Sequence, residues 1–445
     1  MKGSNTLVDY RVEFIAGLST YMTMSYIFIL NPVLLSQVGI SVNAAFFATV
    51  IVGVISTLLM GLWAKVPFAA APVPSITTFF VGYVCLTLNM PWEAALAAVF
   101  FSGLLSVLMT ALAVKEKLVD NVSTKLSFGI LCILCVFLIA TGFKQAGLIG
   151  YSKGFFDVSR IALDSEALKS LSILLTGLVV TLFFSKSRFK LPGAPILGIL
   201  FATVVAFFLE RIPPSKVSED YYSDISSTLF ALDFSYFFET RSIDFIIAIL
   251  IFFVIDFFAG VGKYIGLFGA IKKYRGDIED PEEKTKFKRS LYVDGLGNVA
   301  GSFAGASSVA VYVSSAVGIA AGGKTGLTAV FIAIFMLLSL FFIPFVGAIP
   351  VIATTGVLIY IGFLLVSKGT SGASIKELSG TDISIIGVSL IVVFFTYSMD
   401  FAMAIVFSYY AFSLYRNSGL ARENWIFFAT ALILSGAVFL KYFVI

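Results

Sequence analysis

The chain has 445 residues, of which 59% are hydrophobic and 13% are charged, and its mean hydropathy is +1.00. Soluble domains contain about 45–50% apolar and about 25% charged residues, so the composition excludes a water-soluble protein and indicates a polytopic integral membrane protein. Histidine is absent, which excludes histidine metal ligands and Ser-His-Asp or Cys-His catalysis. The net charge is only +4. We therefore expect no enzyme, no metal or other cofactor and no nucleic-acid partner.

Apolar runs long enough to cross a bilayer, which takes about 20 residues, recur along the whole chain. In chain order they cover residues 14–36, 44–65, 92–114, 126–143, 169–185, 194–210, 243–270, 325–347, 349–367 and 425–443. Residues 289–305 form a shorter, glycine-rich span, and residues 383–416 are long enough to predict a broken or bent pair. Asn31-Pro32 predicts a kink or an end in the first helix.

Two apolar segments, 67–90 and 301–323, begin with small residues instead of a regular helical pattern. In the first, two prolines remove backbone donors and bias Val73 away from helix. In the second, β-branched valines alternate with small residues. We expect each segment to be a short extended strand followed by a half-helix, starting near Ser75 and near Val313. Lipid cannot satisfy open backbone groups, so both segments should be buried in protein or line a cavity.

The two irregular segments hold corresponding places in the chain. Each follows two predicted spans, and each precedes a long apolar helix. Interrupted helices at matching positions of two halves are typical of inverted-repeat transporters and mark the binding site. The sequence therefore predicts an all-α polytopic membrane protein with about 14 transmembrane segments. These form two inverted repeats of seven, residues 1–240 and 241–445, each with one strand-plus-half-helix element.

Basic residues are distributed unevenly over the predicted loops. The loop 271–289 contains seven of them, whereas the loop 210–241 is net acidic. Positive charge in short loops marks the cytoplasmic side. The N-terminus and the loop 271–289 are thus predicted to be cytoplasmic in a multi-pass protein of the cell membrane.

Few charged residues lie at membrane depth, where each costs about 2.5–3.5 kcal/mol on insertion scales. Asp256 and Lys263 share one span and one helix face, about 10 Å apart along the axis, so a direct salt bridge is not expected. Each is a candidate for solute binding, or else pairs with a neighbouring helix for folding alone. We expect Asp294 and Asn298 to be structural and to tie their span to the backbone of a half-helix. Glu13 is expected at an interface or a helix cap.

The starts of the two half-helices supply hydroxyl groups, among them Ser75, Thr77 and Ser314. Unpaired N–H groups and roughly half a positive charge at a helix N-terminus can hold a carboxylate, an oxyanion or a polar ring. Helix capping is the alternative role of these hydroxyls, and the two roles are compatible. Thr77 and Ser314 hold comparable places in the two repeats. The ring of Tyr312 is placed to cover a ligand or only to pack.

Five stretches carry a resemblance to a known family: 11–32 RVEFIAGLSTYMTMSYIFILNP, 141–149 TGFKQAGLI, 322–330 GGKTGLTAV, 349–361 IPVIATTGVLIYI and 395–400 FTYSMD. They resemble the nucleobase–cation symporter family of xanthine/uracil permeases, and most of all its guanine/hypoxanthine branch. The resemblance implies fourteen helices in two inverted repeats, with a core domain that carries the substrate and moves against a gate domain. It also suggests a homodimer, since members of the family are often dimers.

The chain departs from the family pattern in the third and tenth helices. The branch usually reads roughly APGMGLNAFF in the third helix, and residues 71–80 read APVPSITTFF here, which puts Thr77 at the asparagine position. The tenth helix usually carries YIES, and here residues 312–315 read YVSS. Val313 therefore stands next to Ser314, which replaces the second substrate-binding glutamate of the family.

The eighth helix also departs, because VDLFDTIGT in the branch is IDFFAGVGK here. Asp256 keeps the first aspartate. Ala259 replaces the second acidic residue, which contacts the base in relatives. Lys263 takes the place of a threonine or histidine. The acidic pair that would accept hydrogen bonds from the N–H groups of a base is therefore missing. Lys263 and Ser314 offer hydrogen-bond donors instead.

The resemblance favours a secondary active transporter that moves a purine-type nucleobase by alternating access, with Asp256 as the candidate for proton coupling. The substituted residues offer donors and therefore favour a ligand rich in acceptors. The alternative is a transporter of a small organic or inorganic anion that uses Lys263 and the half-helix N-termini. The candidate substrate-binding residues are Ser75, Thr77, Asp256, Ala259, Lys263, Tyr312, Val313 and Ser314.

Overall fold

The protein is described by a computed structural model. It describes residues 9–112, 124–152, 155–157, 165–186, 191, 193–209, 221–238, 242–256, 260, 263–264, 267–268, 270–271, 282–342, 349–369, 379–418 and 425–439. Helices dominate these residues, and each strand among them has only three residues. The all-α fold class expected from the sequence is confirmed.

The first half of the chain contains the first long helices and three of the short strands. In chain order its elements are α1 (Tyr10–Met24), α2 (Ile27–Leu35), α3 (Val42–Leu62), β1 (Ala70–Pro72), α4 (Pro74–Thr78), α5 (Trp92–Ala111), α6 (Thr124–Gln145), β2 (Gly150–Ser152), β3 (Phe155–Asp157), α7 (Ser165–Lys186), α8 (Ala194–Phe208) and α9 (Tyr221–Thr228). The half-helix α4 continues without a break into a π-helical stretch, Phe79–Cys85.

The second half repeats this order with a half-helix in the corresponding place. Its elements are α10 (Ser242–Val254), α11 (Glu283–Ala304), β4 (Val309–Val311), α12 (Ser315–Ala320), α13 (Gly326–Leu338), α14 (Thr355–Gly369), α15 (Gly380–Thr396), α16 (Met399–Ser418) and α17 (Trp425–Phe439). Short 3-10 turns extend several of them, at Ser36–Val38, Ser235–Phe238, Ser339–Phe342 and Val351–Thr354.

Within the described residues, five helices are long and apolar enough to cross a membrane: Tyr10–Val38, Val42–Leu62, Trp92–Ala111, Phe128–Gln145 and Ser165–Lys186. Shorter apolar helices of 10–17 residues accompany them in both halves. Many large apolar side chains point outward, for example Phe208 at 77% and Phe341 at 79% exposure. An outer surface of this kind suits a lipid environment rather than water.

The structure tests two helix breaks that the sequence predicts. The pair expected in 383–416 is confirmed as α15 and α16, which turn at Tyr397, a residue with a left-handed φ of 52°. The kink expected at Asn31-Pro32 is wrong in position. The first span breaks at Ser25 and Tyr26, and Pro32 lies inside α2.

The glycine-rich span is longer than expected, because α11 begins at Glu283 instead of near residue 289. The charged residues 283–289 therefore form its first two turns, so part of the supposed loop 271–289 is helix. Glutamate and lysine are good helix formers, and this propensity explains the extension. Residues 272–281 of that loop lie outside the described residues.

The packing of the helices follows the inverted repeat. The second span of each half packs against the fourth span of the other half, as α3 does on α13 and α11 on α5. Both crossings use a pair of glycines. Gly61 faces Gly326, and a Cβ built on Gly103 would lie 3.0 Å from the carbonyl oxygen of Gly295. Small residues, and glycine most of all, let helix backbones approach closely in a membrane protein.

The strands β1 and β4 pair antiparallel in the interior, with Ala70 opposite Val311 and Pro72 opposite Val309. Both are fully buried. The backbone of Val73 is extended, with φ −110° and ψ 136°, and Pro74 occupies the first turn of α4, where its missing N–H costs nothing. The strand-plus-half-helix elements expected from the sequence are thus confirmed in both halves.

Candidate functional site

The two half-helices begin on either side of the β1–β4 pair and enclose a cavity of about 80 Å³. A single ordered water needs about 10–15 Å³, so this space can hold several waters or part of a small ring. Its walls are Thr23, Tyr26, Val73, Pro74, Ser75, Lys263, Val311, Tyr312, Val313, Ser314, Ile361 and Leu364. Most of this lining is apolar, with a few polar groups that converge, as in small-molecule sites.

Five of the eight candidate residues meet at this cavity: Ser75, Lys263, Tyr312, Val313 and Ser314. The hydroxyl oxygen of Ser314 is buried and has no hydrogen-bond partner among the described residues. A buried hydroxyl without a partner costs about 1–3 kcal/mol. A ligand that donates to it or accepts from it would recover that energy.

Tyr312 closes one side of the cavity and at the same time holds the strands together. Its side chain is 6% exposed, and its hydroxyl donates to the carbonyl oxygen of Pro72 at 2.6 Å. Its backbone N–H donates to the carbonyl oxygen of Ala69 at 2.9 Å. The ring is therefore fixed by bonds at both ends, and it presents an apolar face to the cavity.

Lys263 brings a positive charge to the cavity wall, although its side chain is only 8% exposed. Its ammonium group has no hydrogen bond and no ion pair within the part of the chain that the structure describes. The charges of Asp294 and Asp256 act on it from further away. This agrees with the expectation that Asp256 and Lys263 form no direct salt bridge.

Asp256 and Thr77 do not line the cavity. The Oδ2 atom of Asp256 accepts from the Nδ2 of Asn298 at 2.9 Å, and the side chain is 2% exposed. The hydroxyl of Thr77 donates to the Oδ1 of Asn31 at 2.6 Å. Thr77 and Ser314 are thus oriented differently, although they hold comparable places in the two repeats. Ala259 lies outside the described residues.

Asn298 and Asp294 hold the outer edge of β4, as expected from the sequence. The Oδ1 of Asn298 accepts from the backbone N–H of Val309 at 2.7 Å and from the hydroxyl of Ser308 at 2.8 Å. The Oδ1 of Asp294 accepts from the backbone N–H of Val311 at 3.1 Å. Asn298 therefore joins β4 directly to Asp256.

Thr57 plays the matching part on the outer edge of β1. Its hydroxyl donates to the carbonyl oxygen of Ala70 at 2.9 Å and accepts from the N–H of Ala70 at 3.0 Å. No water is available in a bilayer to satisfy a free strand edge. Side chains from α3 and α11 therefore satisfy both outer edges of this two-stranded sheet.

Comparison with known proteins identifies the family. The Xan_ur_permease model, described as the Permease family, matches residues 11–399. A protein of Methanocaldococcus jannaschii that is named as a permease is 32% identical over 358 residues, which cover 80% of this chain and 79% of that protein. The chain belongs to this permease family. It is a transport protein of the membrane and not an enzyme.

Two further relatives of the permease carry names that state a substrate. Adenine permease AdeP of Escherichia coli K12 is 28% identical, with 80% of this chain and 77% of the relative covered. Guanine/hypoxanthine permease GhxP of Escherichia coli O157:H7 is 30% identical, with 80% of this chain and 78% of the relative covered. The resemblance stated from the sequence is confirmed at the level of the family.

Solved structures share the fold of the permease at low sequence identity. The transmembrane domain of a cyanobacterium bicarbonate transporter, BicA, gives a TM-score of 0.61 at 15% identity and covers 89% of this chain and 97% of that chain. Murine Solute Carrier 26 family member A9, in the inward-facing state, gives 0.62 at 12% identity and covers 94% and 70%. The fold of inverted repeats, with a core and a gate domain, is thereby confirmed.

Sequence reasoning missed part of the cavity wall of the permease. Thr23 and Tyr26 come from the break in the first span, and Ile361 and Leu364 come from α14. The break at Ser25 and Tyr26 has no proline or glycine in the sequence, so no sequence signal marked Thr23 and Tyr26. Ile361 and Leu364 gave no signal, because apolar residues of an apolar helix look alike from sequence.

One side chain links two stretches of the permease that lie more than 300 residues apart in the sequence. The carboxylate of Glu13 in α1 accepts from the hydroxyl of Thr328 and, at 3.3 Å, from the backbone N–H of Lys324. Glu13 is only 4% exposed. It therefore joins α1 to the start of α13, while the N-cap of α13 is Thr325.

Proposed function

We propose that the permease is a secondary active transporter that moves a purine-type nucleobase across the membrane by alternating access. The observation that carries the proposal is the cavity between two half-helices, because such cavities form the substrate site of inverted-repeat transporters. The names of its adenine and guanine/hypoxanthine permease relatives support a purine base as the solute.

The residues of the cavity suit a base with several acceptor atoms. Ser75, Ser314 and Lys263 offer hydroxyl and ammonium donors. The ring of Tyr312 offers a flat apolar face beside Val313. Thr77 would contribute to substrate binding only indirectly, since its hydroxyl bonds to Asn31. Ala259 would leave room where family members carry an acidic side chain.

Asp256 is proposed to couple the transport to protons. It is a buried carboxylate that Asn298 joins to β4, so a change in its protonation would reach the strand beside the cavity. Asp256→Asn should transport without responding to a proton gradient. Asparagine can still accept the bond from Asn298, so the fold should survive.

Uptake by the purified permease in liposomes tests the proposal. Radiolabelled adenine, guanine, hypoxanthine and xanthine are offered with and without an inward proton gradient. One purine or more should accumulate, and the gradient should raise the level. Uptake that ignores every purine would refute the nucleobase assignment. Uptake unaffected by the gradient in the unmodified permease would refute the coupling alone.

Ser314→Ala tests the site itself in the same assay. Loss of one hydrogen bond of about 1 kcal/mol should raise KM roughly fivefold. The matched control is Ser302→Ala, a buried serine whose hydroxyl donates to the carbonyl oxygen of Val299 in its own helix. Equal KM values for the two variants would remove Ser314 from the site.

A second candidate function is transport of a small anion, because Lys263 brings a charge without a described ion-pair partner to the cavity wall. Sulfate, bicarbonate and oxalate uptake is measured in the same liposomes. Anion uptake that falls strongly in Lys263→Gln would favour this candidate. If Lys263→Gln changes neither anion nor purine uptake, Lys263 is a structural residue.

We further propose a homodimer in the cell membrane with a cytoplasmic N-terminus. The basic first turns of α11 support this orientation, because positive charge collects on the cytoplasmic side. Labelling of single cysteines introduced at Lys284 and at Asp233 in intact cells should reach only the second. Labelling of the first alone would reverse the orientation.

Chemical cross-linking in membranes tests the dimer, and a monomer at all cross-linker concentrations would refute it.

A further inference from the structure

A second cavity lies away from the candidate substrate site and is independent of the proposed function. It has a volume of about 340 Å³ and lies where the end of α3, the first turn of α11 and the start of α13 meet. It is lined by Gly61, Leu62, Lys65, Lys286, Lys324, Thr325, Gly326, Leu327 and Val330. It shares no lining residue with the cavity at the half-helices.

Three lysines from three separate parts of the chain line this cavity, and its described lining contains no carboxylate. Lys286 has an ion pair with Glu282 at 4.0 Å, but Glu282 is 62% exposed. Ion pairs that are this open to solvent contribute little. A concave surface lined by one sign of charge concentrates the opposite ion. The positive charge of this lining therefore favours an anion.

The backbone around the cavity is fixed. The floor is the glycine crossing of α3 and α13, where the carbonyl oxygen of Gly61 lies against Gly326. Thr325 caps α13 by accepting from the N–H of Leu327 at 3.2 Å. Lys65 has a left-handed φ of 58°, which is strained for a residue with a side chain. Strain of this kind is typical of functional positions.

The remaining wall is apolar and reaches the outer surface. Leu62, which is 66% exposed, stands with Leu327 and Val330 beside the lysines. Next to Leu62, Trp63 packs against Tyr292 with ring centroids 6.2 Å apart. Tryptophan and tyrosine are enriched at the level of the lipid headgroups. The cavity thus combines a basic half with an apolar half, beside an aromatic pair of the kind that is enriched at headgroup level.

We propose that this cavity binds an anionic phospholipid, with the phosphate held by Lys65, Lys286 and Lys324 and the glycerol and first acyl carbons against Leu62 and Val330. A free phosphate ion would satisfy the lysines but would leave the apolar half without a partner. Phosphates and lysines form strong charge-assisted hydrogen bonds. Basic pockets between transmembrane helices are suited to such headgroups.

Native mass spectrometry of the full-length permease, titrated with phosphatidylglycerol, tests the proposal. The test variant combines Lys65→Gln, Lys286→Gln and Lys324→Gln. The control variant makes the same change at Lys169, Lys284 and Lys288, which do not line the cavity. The test variant should lose phosphatidylglycerol affinity by about 10- to 100-fold, and the control should keep it. Equal losses in both variants would overturn the proposal.

Three further compounds, offered in the same assay, distinguish a lipid phosphate from a free phosphate. Phosphatidylcholine should bind much more weakly than phosphatidylglycerol, and inorganic phosphate or glycerol phosphate should not displace the lipid. Displacement by millimolar inorganic phosphate would show a free-anion site instead and overturn the lipid assignment. If the triple variant fails to purify, each single variant should lose affinity by a smaller factor. Single variants with unchanged affinity would also overturn the proposal.

Discussion

The two strand-plus-half-helix elements share one geometry but use different chemistry to hold it. On the outer edge of β1, both backbone groups of Ala70 are satisfied by one hydroxyl, that of Thr57. The outer edge of β4 is satisfied by an amide and a carboxylate, those of Asn298 and Asp294. The bilayer requires a partner on each edge but does not specify which. The second arrangement also reaches a further charged group, Asp256, through Asn298.

Among the substitutions that test this difference between the two elements, Asn298→Leu should destabilise the permease most. It removes at once one hydrogen bond from each of the Val309 N–H, the Ser308 hydroxyl and the Asp256 carboxylate. Each buried group without a partner costs about 1–3 kcal/mol. The thermal unfolding midpoint in detergent should fall far below that of the control Ser302→Ala, one turn further along α11. A midpoint equal to the control would show that the β4 edge does not depend on Asn298.

Thr57→Val should destabilise the permease less, because it leaves only the two backbone groups of Ala70 without a partner. The expected loss is on the order of 2 kcal/mol. Thr57→Ser keeps the hydroxyl and serves as the matched control. The same unfolding assay measures both variants. An unfolding midpoint of Thr57→Val equal to that of the unmodified permease would show that the edge bonds do not stabilise β1.

Tyr312→Phe should destabilise the permease least. It tests the point where the two elements touch. It removes the bond from the Tyr312 hydroxyl to the Pro72 carbonyl and keeps the ring. We expect a loss of about 0.5–1.5 kcal/mol with purine uptake largely retained. Uptake abolished at unchanged stability would show instead that the hydroxyl serves the solute or the transport cycle.

Local features of the fold were predictable because they depend on neighbouring residues. The prolines at 72 and 74 and the alternating valines near 309–311 predicted the two strands. The role of Asp294 and Asn298 was also predictable, since polar residues in an apolar span need a partner. The displaced break at Ser25 and Tyr26 was not predictable, because Pro32 tolerates a helical position there.

The candidate site was predictable only as a set of residue types. Ser75, Lys263 and Ser314 do meet at one cavity, whereas Thr77 bonds to Asn31 instead. A hydroxyl at a half-helix start can face the cavity or a neighbouring helix. That choice depends on which acceptor lies nearby in three dimensions, and Asn31 is 46 positions away in the chain.

The sequence by itself determined the class of the protein, the two broken helices and the permease family, because composition, proline positions and motifs are local properties. Only the tertiary structure decided which groups satisfy one another: Thr57 with Ala70, Glu13 with Thr328, and Asn298 with Asp256. The physical reason is that a bilayer leaves every backbone and polar group to find a partner within the protein. Several side chains can serve as that partner, and the packing of the helices selects among them.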